Sequence, residues 1–256
     1  MSNLNLYAKM RKGGIQMIKT ILFDLDGTLL PMDQEKFIQT YFAKLTRHMA
    51  IAGLGSEQMI QWIWAGTKAM MENDGSKTNR EVFFEVFGAA SKKDSTMYEP
   101  VFDKFYQTEF DTVKEILGKS FGQKEMLADL KTKGYQLILA TAPLFPSAAV
   151  ATRLNWIGLT LEDFDYVSAY ENSTYCKPNP NYYSEILKKN NCNPSECLMI
   201  GNNVREDGAA IKAGVDFFLI TDYLENADNE NIDNYQNGDS EKLKQILKEL
   251  QEVTKC

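Results

Sequence analysis

The chain of 256 residues contains one histidine, His48, so any chemistry needing a catalytic imidazole must centre on that residue. His48 shares a helical stripe with Tyr41 and Leu45, which reads as a core or interface position. Cysteine is scarce too. Cys176, Cys192, Cys197 and Cys256 lie in the last third, without CxxC spacing or a nearby histidine. That pattern argues against a zinc site and for a reducing, cytoplasmic setting. There is no basic tract, and the net charge of −7 argues against a nucleic-acid-binding face. No stretch approaches the ~18 consecutive apolar residues of a membrane span. Residues 1–16 lack the apolar centre of a signal peptide and carry Gly13-Gly14. Met17 stands directly before the apolar start at Ile18, so 1–16 are expected to be a disordered extension or the product of a misplaced start.

What is present is enough apolar material, 44% of the residues against 25% charged, to bury a substantial core in one or two domains. The chain is organised around the stretch from Lys19 to Leu30. Ile21 to Phe23 reads as a buried strand of a parallel sheet, and it ends in Asp24, Leu25, Asp26, Gly27 and Thr28. Residues two apart on an extended chain point the same way, so both carboxylates can face one pocket at the strand's carboxyl end. Open α/β sheets bind ligands at that end. Two carboxylates held together repel unless a cation joins them, so the pair asks for a divalent metal, an anionic substrate balanced by it, or both.

From Gln34 to about Phe110 the pattern is helical, with Phe37, Tyr41, Leu45 and Met49 on one stripe. Further helices are expected over 57–71, 80–89 and 98–110, with no strand among them. From about Phe121 the pattern alternates. Helices are expected over 123–133, 147–157, 181–190 and 204–213, with strands over 135–140, 166–168, 197–200 and 216–220. That alternation predicts a doubly wound parallel sheet, an α/β core. The acidic, Asn-rich stretch 221–239 reads as a mobile loop, and Ser240 as the cap of a final helix running to about Val253.

Three later segments supply partners for the aspartates. The strand through Leu139 and Ala140 ends at Thr141-Ala142-Pro143, where a hydroxyl and the following backbone N–H groups can bind a phosphate oxygen. Lys177 precedes Pro178 at the opening of a helix and suits neutralisation of a phosphoryl group. The strand 197–200 runs into Gly201-Asn202-Asn203, with Glu206 and Asp207 following. Gly118-Lys119-Ser120 looks like the end of a nucleotide-binding P-loop, but that loop needs a glycine where Val113 stands.

These four segments, in this order, resemble the haloacid dehalogenase-like (HAD) superfamily, most of whose members are phosphatases and other phosphoryl-transfer enzymes. The resemblance spans about Met17 to Ile220. It implies a Rossmann-like core from 17–32 and 112–256, and an inserted all-helical cap over 33–111 that closes over the active site. It also implies Asp24 as nucleophile, Asp26 as proton donor and acceptor, and Thr141, Ala142 and Lys177 around the phosphate. Mg²⁺ would be held by Asp24, Asp26 through its backbone carbonyl, and the turn from Asn202 to Asp207, with Asn202 or Asn203 and Glu206 or Asp207 as its ligands. Two departures stand out. Asn202 and Asn203 occupy the place of a usual acid, which should weaken metal affinity, and Ala142 stands where many members carry Asn. The reading is a Mg²⁺-dependent phosphatase of a small phosphorylated metabolite. Its alternatives are a phosphomutase and a HAD-like binding module without catalysis.

Overall fold

The computed structural model describes residues 17–253, so the expectation for residues 1–16 lies outside the described residues. Six strands build one sheet: β1 (Thr20–Phe23), β2 (Gln136–Leu139), β3 (Tyr166–Val167), β4 (Cys197–Gly201), β5 (Asp216–Ile220) and β6 (Gln236–Gly238). Their order is β3-β2-β1-β4-β5-β6, and every pairing is parallel. A parallel sheet must be covered on both faces, and the alternation along the strands divides the apolar side chains accordingly. Ile21, Phe23, Leu137, Leu139, Leu198 and Ile200 enter one core cluster, whereas Leu22, Ile138 and Met199 enter a second.

Helices α5 (Gln123–Thr132), α6 (Ser147–Asn155) and α8 (Ser240–Lys248) contribute Leu127, Leu154 and Leu243 to the first cluster. Helix α7 (Pro180–Lys189) and a 3₁₀ helix, Gly208–Ala213, cover the opposite face through Tyr182, Ile186 and Ala210. This is the doubly wound α/β core expected from the sequence.

Between β1 and β2 lie α1 (Gln34–Ile51), α2 (Met59–Met71), α3 (Asn79–Ser91) and α4 (Glu99–Gln107), with no strand. Their starts follow local signals. Asp33 accepts from the Lys36 backbone N–H at 2.9 Å, and Thr78 and Glu81 form a reciprocal capping box at α3. Phe83, Phe87 and Phe102 interlock, and α2 crosses α3 closely at Gly66, where an added Cβ would lie 2.6 Å from the Phe83 ring. His48 is buried against Phe105 and meets Glu109 at 3.0 Å, a core position as its stripe implied. The helical cap docks on the core through Asn79, which is fully buried. Its Nδ2 donates to the carbonyls of Pro143 and Tyr175, each at 3.2 Å.

Several expected elements differ. The helix expected over 204–213 is a single turn, opened by Asn203 accepting from the Arg205 and Glu206 N–H groups, followed by the short 3₁₀ helix. The stretch 221–239 is not simply a loop: its end forms β6, with Thr221 N–H donating to Gly238 at 3.0 Å. Asp239, not Ser240, caps α8, and the helix ends at Lys248. The single helix expected over 98–110 divides at Thr108 into α4 and a 3₁₀ segment, Glu109–Ile116. Among the described residues no helix is long and apolar enough to cross a membrane.

Candidate active site

The chain winds β1-β2-β3 to one side and then returns to start β4 on the other side of β1. The crevice at the carboxyl ends of β1 and β4 is therefore the topological switch point. Backbone pairing holds β1 to its last residue: Asp24 N–H donates to Ile200 at 2.9 Å and Ala140 N–H donates to Phe23 at 2.7 Å. Beyond Asp24 no ladder constrains the chain, and it turns through Gly27 at φ +80°. An added Cβ there would lie 2.4 Å from Asn202 Nδ2, so glycine is required both by conformation and by space.

Lys177 sits at the centre. It is buried, and its Nζ donates to Asp24 Oδ1 at 2.8 Å and to Asp207 Oδ1 at 2.6 Å. Burial works against its charge, but Asp207 and Asp24 outweigh that and hold its pKa well above the ordinary lysine range. Burial raises the Asp207 carboxyl, with Lys177 opposing. Asp207 also accepts from Asn203 N–H at 2.9 Å. Gly201 makes room for this carboxylate, since a Cβ there would lie 2.1 Å from Asp207 Oδ2. Glu206 lies beside them, pushed up to about 7 by burial.

Asp26 has a different partner. Its Oδ2 is hydrogen-bonded to Nη1 of Arg153, which is completely buried on α6 and lies 4.6 Å from the Phe145 ring centroid. Burial raises the Asp26 pKa and the Arg153 charge pulls it back down. Asp26 Oδ1 and Arg153 Nη2 are both buried without a hydrogen-bond partner. Sequence reasoning passed over Arg153. The signal was there, however: it shares one face of α6 with Ala149, Val150 and Leu154, and a charge on a buried face needs a counter-charge.

Thr141 is buried directly after β2, beside the end of β1. Its carbonyl accepts from Ser168 Oγ at 2.7 Å and from Tyr182 at 2.8 Å, and Ala142 follows it into the same loop. Asn202 is tied down at both ends of its amide, accepting from Thr28 Oγ1 at 3.0 Å and donating to the Tyr223 carbonyl at 2.6 Å. Asn203 turns towards Glu225, donating to it at 2.8 Å. The fold thus gathers Asp24, Asp26, Thr141, Ala142, Lys177, Asn202 and Asp207 at one end of the sheet. Among the described residues no group of three or more His, Cys, Asp and Glu side chains is arranged to hold a metal ion. The acidic donors that converge are two, Asp24 and Asp207, both on Lys177.

Residues 21–220 match the haloacid dehalogenase-like hydrolase family. The chain belongs to that family.

It is 26% identical over 245 residues to the glyceraldehyde 3-phosphate phosphatase of Methanothermobacter thermautotrophicus, covering 90% of this chain and 100% of the relative. It is 28% identical to a phosphoglycolate phosphatase of Vibrio vulnificus over 80% of this chain and 85% of the relative. A HAD phosphatase from Thermococcus onnurineus shares the fold, with a TM-score of 0.58 at 20% identity, over 92% of this chain and all of the other. As a HAD hydrolase, the protein is an enzyme with a Rossmann-like α/β core and a helical cap.

Proposed function

We propose that this HAD hydrolase is a Mg²⁺-dependent phosphatase of a small phosphorylated metabolite, working through an aspartyl phosphate. The observation that carries the reading is Lys177, a buried cation hydrogen-bonded to two carboxylates, Asp24 and Asp207, at the switch point of the sheet. A lysine placed there holds the Asp24 carboxylate in position and supplies positive charge where a phosphoryl group would sit.

In this mechanism an Asp24 oxygen attacks phosphorus while the bond from phosphorus to the ester oxygen breaks, and Asp26 gives its proton to the departing alkoxide. Asp26 then takes a proton from water as that water attacks the acyl phosphate, releasing inorganic phosphate and restoring Asp24. The Thr141 hydroxyl and the Ala142 N–H would bind the phosphoryl oxygens. Arg153 fixes the Asp26 carboxyl through the step. The donor set fits magnesium, which takes oxygen ligands, commonly one or two carboxylates, and keeps several waters. Asp24 and Asp207 would hold it with the Asp26 carbonyl and the Asn202 amide oxygen, and it would screen the nucleophile from the phosphate's negative charge.

The test is hydrolysis of p-nitrophenyl phosphate with and without Mg²⁺, the chain beside its Asp24→Asn variant. Metal-dependent turnover lost in the variant is the expected result. Turnover that survives Asp24→Asn would overturn the mechanism, and bisphosphate formed from a sugar phosphate would point to a mutase instead.

A further inference from the structure

A chamber of about 180 Å³ lies between helices α1–α4 and the loops at the carboxyl end of the sheet. Leu144 and Phe145, three and four residues after Thr141, form part of its wall on the core side, and so does Glu206, next to Asp207. The chamber therefore borders the loops that carry the candidate phosphate site. Across from them stand Phe37, Tyr41, Phe84 and Tyr106 from the cap. A cavity of about 150 Å³ lined by apolar side chains suffices to take up benzene. This one has room for a six-membered ring and a few further carbons.

Its charge is as informative as its size. Among the described residues that line it there is neither lysine nor arginine, and its one charged residue, Glu206, is acidic. Arg80 and Arg153 stack on lining rings, 5.2 Å from the Phe84 centroid and 4.6 Å from that of Phe145, without lining the chamber themselves. Both are in ion pairs, Arg80 with Glu99 and Arg153 through Nη1 with Asp26, while Arg153 Nη2 keeps no partner. An anionic leaving group would lose its water here and find no counter-charge among the lining residues. Besides Glu206, the polar side chains that line it are neutral: Gln34, Thr67, Tyr170 and the Tyr41–Tyr106 hydroxyl pair at 2.8 Å. One proton of the tyrosine pair is used between the two oxygens, which leaves that pair one neutral donor for a ligand.

The geometry points to a phosphate monoester of an apolar alcohol, aryl-alkyl or branched alkyl, as the substrate class, its carbon skeleton in this chamber and its phosphoryl group at Asp24. This inference rests on the phosphatase reading above. It separates the chain from the phosphatases it resembles: the carboxylate of phosphoglycolate has no cation to meet in this chamber.

The experiment compares benzyl phosphate with phosphoglycolate, both esters of primary alcohols, using the full chain with Mg²⁺. The expected result is a kcat/KM at least tenfold higher for benzyl phosphate. Ile38→Lys places a cation on a half-buried wall position of the same chamber. It should lower that preference at least tenfold, with circular dichroism confirming the fold. Calorimetric titration of Asp24→Asn with each ester reads binding apart from turnover. Benzyl phosphate bound in preference to phosphoglycolate but never hydrolysed by the unsubstituted chain would keep the substrate chamber and remove the phosphatase. Turnover or binding that favours phosphoglycolate, or no binding of benzyl phosphate, would overturn the apolar class and leave the phosphatase reading to its own test.

Discussion

Buried Arg153 and part-buried Asp26 form an ion pair that joins α6 to the loop after β1, and each keeps one polar atom without a partner. Breaking a buried pair by removing one member costs about 3 to 5 kcal/mol, because the remaining charge is stranded. Arg153→Met should therefore lower stability by about 3 kcal/mol, and the Arg153→Met/Asp26→Asn double variant should recover most of the loss. Denaturant unfolding of the four proteins checks this. Additive losses would mean that the pair is not coupled.

The close fit of Gly201 against Asp207 gives a second expectation. A methyl group at Gly201 would meet Asp207 Oδ2 at 2.1 Å, so Gly201→Ala must push the carboxylate off Lys177. Misplacement on the scale of 1 Å in a catalytic constellation costs about a hundredfold in rate. Gly201→Ala should lower kcat by about that factor with the fold intact. A rate within threefold of the parent would show that Asp207 does not serve the site.

Asn202→Asp tests the departure from the family pattern. The Asn202 Nδ2 donates to the Tyr223 carbonyl, and a carboxylate oxygen there would face that carbonyl instead. Without metal the variant should be less stable by about 1 to 3 kcal/mol. Added Mg²⁺ should raise its melting temperature more than that of the parent, since binding to the folded state stabilises it by mass action. Equal responses to Mg²⁺ would place residue 202 away from the metal.

Asn79 links the cap to two loops of the core. Its Nδ2 reaches the carbonyls of Pro143 and Tyr175, and its backbone N–H donates to Ser173 at 2.8 Å. Asn79→Ala leaves the two side-chain acceptors buried and unpaired, at a cost of about 2 kcal/mol. Amide exchange should quicken at the start of α3 while the sheet keeps its protection. Unchanged exchange at α3 would show that other contacts hold the cap closed.

Much of this fold is legible in residues close together in sequence. Strand β1, the helical stretch beginning at Gln34 and the alternation after Phe121 follow from short-range periodicity, which burial imposes on each element separately. The acidic end of β1 and the order of the later segments told the family, because a turn such as Asp24 to Thr28 is a local arrangement. A difference arose where a distant strand supplied the pairing, as β5 does for β6.

By itself the sequence determined five of the sheet's six strands, the helical insertion and the residue types at the mouth of β1. Tertiary structure alone decided which charges meet. Lys177 lies 153 positions from Asp24, and Arg153 lies 127 from Asp26. No periodicity encodes such pairings, because Coulomb attraction and desolvation depend on distance in space rather than along the chain. The charge-poor aromatic chamber was decided in the same way, by helices and loops brought together from four separate parts of the chain.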